Sequence, residues 1–150
     1  MAFSGNFMCT SFKQELLVGS HNFTNGSGDT FKLALYDNNA SFNAATTAYT
    51  SSNEVGNSGS YTAGGGALTN VTPTTSGTTA LTDFADKTYT SATITARGAL
   101  IYNKTLGDAS SNARGAIAIL DFGGDFSVSG GTFRIVFPAA TKDTAIVRID

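Results

Sequence analysis

The sequence predicts an all-β fold, an antiparallel β-sandwich (jelly-roll-like or Ig-like) of about seven or eight strands with one short N-terminal helix. Three observations predict it. From Tyr61 onward, runs rich in Thr, Val, Ile, Phe and Tyr recur at short spacings, and Gly, Asn and Asp punctuate the gaps between them. Charged residues make up only 13% of the chain, and Thr, Ser, Asn and Gly take their place, as in a turn-rich β protein or one that covers part of its surface with neighbours. No helical pattern alternates with the strands, which argues against an α/β enzyme fold.

A length of 150 residues with 41% hydrophobic content suits a single domain spanning 1–150 around one core, with 1–10 as an N-terminal arm. Phe3, Phe7 and Met8 on that arm are candidate assembly contacts. Apolar residues there either fold back on their own core or insert into a neighbour. In SFKQELLVG, Ser11 is placed to cap a helix and Gln14 to complete a capping box. Phe12, Leu16 and Leu17 then share its apolar face, and Gly19 ends it. HNFTNGSGD is turn chemistry, with Asn25-Gly26 and Gly28-Asp29 tolerant of positive φ. TFKLALY alternates as a half-buried strand with Phe31, Leu33 and Leu35 on one side. The following stretch, 37–55, reads either as a short helix near 41–45 or as an ordered loop tacked down by Phe42, Tyr49 and Val55.

GALTNVTP reads as a strand stopped by Pro73, because proline cannot donate to a ladder. TTALTDF is a second, anchored by Leu81 and Phe84. TYTSATITARGALIYN is the longest, with a bulge or bend at Arg97-Gly98. GAIAILDF, GTFRIVF and TAIVRI are three more: the first has the near-continuous apolar order of a central strand, and the last is an edge open to pairing between chains. The glycine-rich stretch NEVGNSGSYTAGGGALTNVTP lacks the Gly-Lys-Ser/Thr and helix of a phosphate loop. Tyr61, Leu68 and Val71 anchor it too closely for a free linker. It predicts a surface turn over 53–59 and a bend into a strand over 64–66.

Catalysis has little to draw on. His21 is the only histidine and sits in turn chemistry, where an exposed or capping role is expected. Asp83 with Asp86 and Asp121 with Asp125 would suit a glycosidase or calcium, but DFGGD reads as a strand end and tight turn whose aspartates bond nearby backbone. Asp121-Phe122-Gly123 matches a kinase tripeptide without any of its companion motifs. The single Cys9 excludes an intrachain disulfide and reads as a buried apolar side chain. Sequons begin at Asn22, Asn25, Asn39, Asn70 and Asn103, as expected by composition alone. No catalytic, cofactor-binding or metal residue is expected, and no cofactor. Net charge is −2 with the nine basic residues scattered, so neither nucleic acid nor a membrane is an expected partner. The N-terminus lacks the basic and apolar regions of a secretory signal, which predicts a chain made as a soluble cytosolic protein.

The ordered blocks AYTSSNEVGNSGSYTAGGGALTN, TTALTDFADKTYTSATITARGALIYN and AILDFGG...GTFRIVFP resemble a small protein found among tailed-bacteriophage structural genes. The resemblance runs from TSFKQELL to the C-terminus. It implies a non-enzymatic virion component, with capsid decoration (cement) preferred and a tail or fibre component, including a carbohydrate- or receptor-binding sandwich, as the alternative. Tyr36, Tyr49, Tyr61, Tyr89 and Tyr102 would supply the rings for sugars. The implied partners are the major capsid protein or tail proteins, together with further copies of the chain in a homo-oligomer.

Overall fold

The computed structural model describes residues 3–109 and 114–150. The first two residues of the expected arm lie outside them. Ten elements follow in order: β1 (Phe7–Met8), α1 (Thr10–Leu17), β2 (Phe31–Tyr36), β3 (Gly66–Ala67), β4 (Asn70–Ser76), β5 (Thr79–Phe84), β6 (Lys87–Asn103), α2 (Lys104–Ala109), β7 (Ala116–Ile135) and β8 (Val147–Ile149). They form two antiparallel sheets, one of five strands in the order β1-β7-β6-β2-β3 and one of three in the order β4-β5-β8. The all-β sandwich class with a short N-terminal helix is therefore what the chain adopts.

An aromatic ladder joins the sheets. Phe23 stacks on Phe31 of β2 with ring centroids 4.4 Å apart, Phe31 meets Phe84 of β5 at 5.6 Å, and Phe84 meets Phe137 at 5.9 Å. Each such pair adds roughly 0.5–1.5 kcal/mol beyond area burial. Around the ladder lie Leu33, Leu35, Leu100, Ile101, Ile117 and Ile119, all buried.

β6 shows how register is kept. Its first half alternates buried and exposed, with Tyr89 inward, then Ala92, Ile94 and Ala96 inward. Two exposed residues, Thr90 and Ser91, break the alternation, and Ser91 takes φ +51 where the pairing with β7 slips. This bulge lets both halves present their apolar residues to the same side, which a regular strand of that sequence would not do. The expected irregularity at Arg97-Gly98 is present as a further slip between Ala96 and Gly98.

Several expectations are corrected. GAIAILDF and GTFRIVF are one continuous strand, β7, because DFGGD is not a turn. Its extra residues bulge out between the pairs Ala96↔Phe126 and Gly98↔Asp121 while the strand continues. Pro73 does not stop its strand; it sits inside β4 at the slip between Val71 and Thr74, where no ladder bond is asked of it. GALTNVTP is also split, since Gly66–Ala67 joins the five-stranded sheet and Asn70 onward the other. Residues 37–55 form an ordered loop, with Phe42 buried and Tyr49 and Val55 packed against the core.

The N-terminal helix has a different start. Cys9 occupies the N-cap without a side-chain bond, and the Ser11 hydroxyl is buried without a partner. The loop substitutes for the cap: the Thr10 N–H donates to the Ala44 carbonyl at 2.8 Å. Gly19 ends the helix as expected, at φ +71, with Ser20 N–H donating to Glu15 O and Gly19 N–H to Leu16 O, a Schellman arrangement. Leu17 is 88% exposed, and Phe12 and Glu15 fill the buried face instead.

Candidate functional site

Three places concentrate chemistry: a polar cluster around His21, a tyrosine cluster around Glu54, and an apolar groove along β7. In the first, His21 comes from the turn before β2, Glu15 from α1 and Asn103 from the end of β6. The His21 side chain is fully buried and Glu15 nearly so, which corrects the expectation of an exposed or capping histidine. Asn103 fixes the tautomer. Its Oδ1 accepts the Leu106 N–H as the cap of α2, so its Nδ2 donates to Asp29 Oδ2 at 2.7 Å and to His21 Nδ1 at 2.9 Å. The His21 Nε2–H then donates to Glu15 Oε2 at 2.8 Å. Burial holds the imidazole pKa below its ordinary value, against the raising influence of Glu15. Arg114 reaches Glu15 Oε1 at 3.3 Å from the rim. A sealed, neutral imidazole of this kind ties α1, the turn and α2 together. No substrate can touch it.

In the second cluster, the Tyr49 hydroxyl donates to Glu54 Oε2 at 2.5 Å, the Tyr61 hydroxyl to Oε1 at 2.8 Å, and the Gly64 N–H to Oε1 at 2.6 Å. Tyr102 donates to Gly64 O, Tyr36 to Thr50 O and Tyr89 to Leu33 O. Every tyrosine hydroxyl of the chain is thus spent on an internal bond. Tyr36, Tyr61, Tyr89 and Tyr102 are buried, and Tyr49 stacks on Tyr102 at 4.9 Å. The rings expected to meet sugars face inward. The same bonds explain the glycine run: a Cβ on Gly65 would lie 2.2 Å from Leu33 O, and one on Gly59 2.3 Å from Ser91 O. Most of 53–63 lies at the surface, as the expected turn, while Gly59 and Gly65 are pressed against backbone and the tyrosines clamp Glu54 and Gly64.

The carboxylate pairs do not act as pairs. Asp83 is buried and accepts the N–H groups of Phe84 and Ile146; desolvation raises its pKa. Asp86 pairs with Arg134 at 2.6 Å and accepts the Phe137 N–H. Asp121 accepts the N–H groups of Gly123 and Gly5 and pairs with Arg97 at 3.3 Å; these bonds hold its pKa below the usual range. Asp125 is exposed. Among the described residues no group of three or more His, Cys, Asp or Glu side chains could hold a metal ion. Cys9 is free and buried, as expected, and burial pushes its thiol up to about 11. Asn103 is buried, so its sequon is closed to modification in the folded chain.

The third place is a groove of about 740 Å³ along the outer side of β7. Phe7 and Met8 close one end, Phe122, Phe126 and Phe133 line its length, and Ile146 and Val147 form the opposite wall. Asp121 and Arg134 are its only charged lining residues, and each is paired within the chain. No protein-family model, curated protein or solved structure matches the chain. The groove is therefore read from its own chemistry.

The arm residues divide. Phe3 is buried, with its ring over Gly98, where an added Cβ would lie 2.4 Å from it. Phe7 and Met8 pair with Ile119 and Ala118 as β1 and remain partly exposed at the groove. The arm folds back on its own chain, and only its last two candidate contacts reach the groove. Sequence reasoning missed the groove itself. Its signal was present in Phe122, Phe126 and Val136, apolar residues on a strand with no partner assigned to that side.

No helix among the described residues is long and apolar enough to cross a membrane.

Proposed function

We propose that the chain is a non-enzymatic structural protein of a bacteriophage virion, a capsid decoration (cement) protein that stabilises the shell by adding buried interface. One observation carries this reading. The reactive side chains are consumed by internal bonds, while a long apolar groove beside an unpaired strand edge is left exposed. The groove offers none of the convergent polar groups that chemistry needs: its two charged residues, Asp121 and Arg134, are each paired within the chain. The order of sequence blocks quoted above supports the virion assignment, and the charge-poor Thr/Ser/Asn surface suits a part that packs among neighbours. Binding to the assembled shell would stabilise it by mass action, with no chemical step.

Copy number in purified particles tests the proposal. Hundreds of copies per particle are expected of a decoration protein. A count of about a dozen or fewer would move the chain to the tail or a fibre, and absence from particles would overturn the virion role.

A further inference from the structure

The groove differs from a ligand pocket in one respect: its long side is a strand edge. β1 covers β7 only at Ala118 and Ile119, with Cys9 N–H donating to Ile117 O beside it. Beyond the bulge at 122–125, β7 is paired with β6 on one side from Phe126 to Val128 and again from Gly131 to Ile135, and among the described residues no backbone bond reaches its other side. A row of outward N–H and C=O groups is satisfied in register only by another extended backbone. A small apolar ligand or a lipid surface would leave that row unpaired.

We propose that this edge pairs with the same edge of a second copy, antiparallel about a two-fold axis, so that two five-stranded sheets run on as one. The proposal rests on reading the groove as an assembly surface and names its partner. Two observations favour a second copy. The exposed Asp125 lies toward one end of the edge and Arg134, which also meets Asp86 of its own chain, lies at the other, so antiparallel self-pairing sets acidic against basic, whereas parallel pairing would set like against like. Second, the paired stretch from Phe126 to Ile135 contains no Lys and no Pro, and the bulges of β7 at 122–125 and 129–130 are the devices it has to limit edge pairing. Phe126, 55% exposed, and Val136, 66% exposed, stand beside it and would be covered.

Sedimentation of the purified chain across a concentration series tests this. The wild type is expected at twice 15.4 kDa, and Phe126→Lys at the monomer mass, with association weakened by about a hundredfold or more as a charge enters an apolar contact. Leu17→Lys, on exposed α1, keeps the dimer and controls for general surface effects. Single cysteines at Ser127, Ser129 and Thr132 would locate the axis, since the one nearest it cross-links to its own copy on oxidation. A monomeric wild type at all concentrations, a trimer, or a dimer indifferent to Phe126→Lys would overturn the pairing. Loss of fold in Phe126→Lys would show in its circular dichroism, and Val136→Lys would then carry the test. Abundant copies in virions alongside a monomeric free chain would sink the pairing alone; a dimer absent from virions would sink the virion reading alone.

Discussion

His21 shows how a single residue changes meaning between sequence and structure. Buried between Glu15 and Asn103, with Asp29 behind the amide and Arg114 behind the carboxylate, it is neutral in the fold. Its folded pKa is depressed below the unfolded value of about 6.5, so the unfolded chain binds the extra proton. Stability is therefore full above that pH and falls as pH drops below it, with a slope approaching but not exceeding about 1.4 kcal/mol per pH unit. Asp83, with its raised pKa, acts in the opposite sense at lower pH. Urea midpoints compared between pH 7.5 and 5.5, values chosen to straddle about 6.5, should fall in the wild type and stay level in His21→Asn. Equal slopes in both would show that another group carries the effect. Sequence reasoning could not place His21 because its partners come from three separated segments. The hint was Glu15, one turn after Phe12 and so on the buried face of α1.

At the scale of elements, local chemistry was legible wherever a residue answered to its neighbours in the chain. Gly19 ended α1, Phe31–Tyr36 and Thr79–Phe84 alternated or filled as strands, and Arg97-Gly98 marked a slip. What failed were boundaries decided across the sheet. DFGGD looked like a turn, yet Arg97 and Gly5 hold Asp121 in place and the strand runs on. Ser11 looked like a cap, yet the Ala44 carbonyl took that duty. The glycine run divides along the same line. Gly65→Ala should cost at least about 3 kcal/mol, because φ is +75 and its Cβ meets backbone that cannot move aside. Gly77→Ala, also at positive φ but in open space at the β4–β5 turn, should cost only about 1 kcal/mol. Denaturation midpoints of the two variants measure this. Similar losses would mean that conformation alone, and not the approach to Leu33, requires glycine in the run.

For the whole molecule, strand content and charge scarcity announced the sandwich, while sheet order and the unpaired side of β7 depended on contacts the sequence does not state. The groove exists because β1 is only two residues long and β7 is twenty. The central claim is that this exposed edge is the working surface. Hydrogen exchange resolved by residue tests it most directly, comparing the chain held as a monomer with the chain in its assembly. Outward-facing amides between Phe122 and Ile135 should exchange quickly in the monomer and become protected on assembly, while those of β2 stay protected in both. Unchanged exchange along β7, with protection appearing elsewhere, would contradict the account.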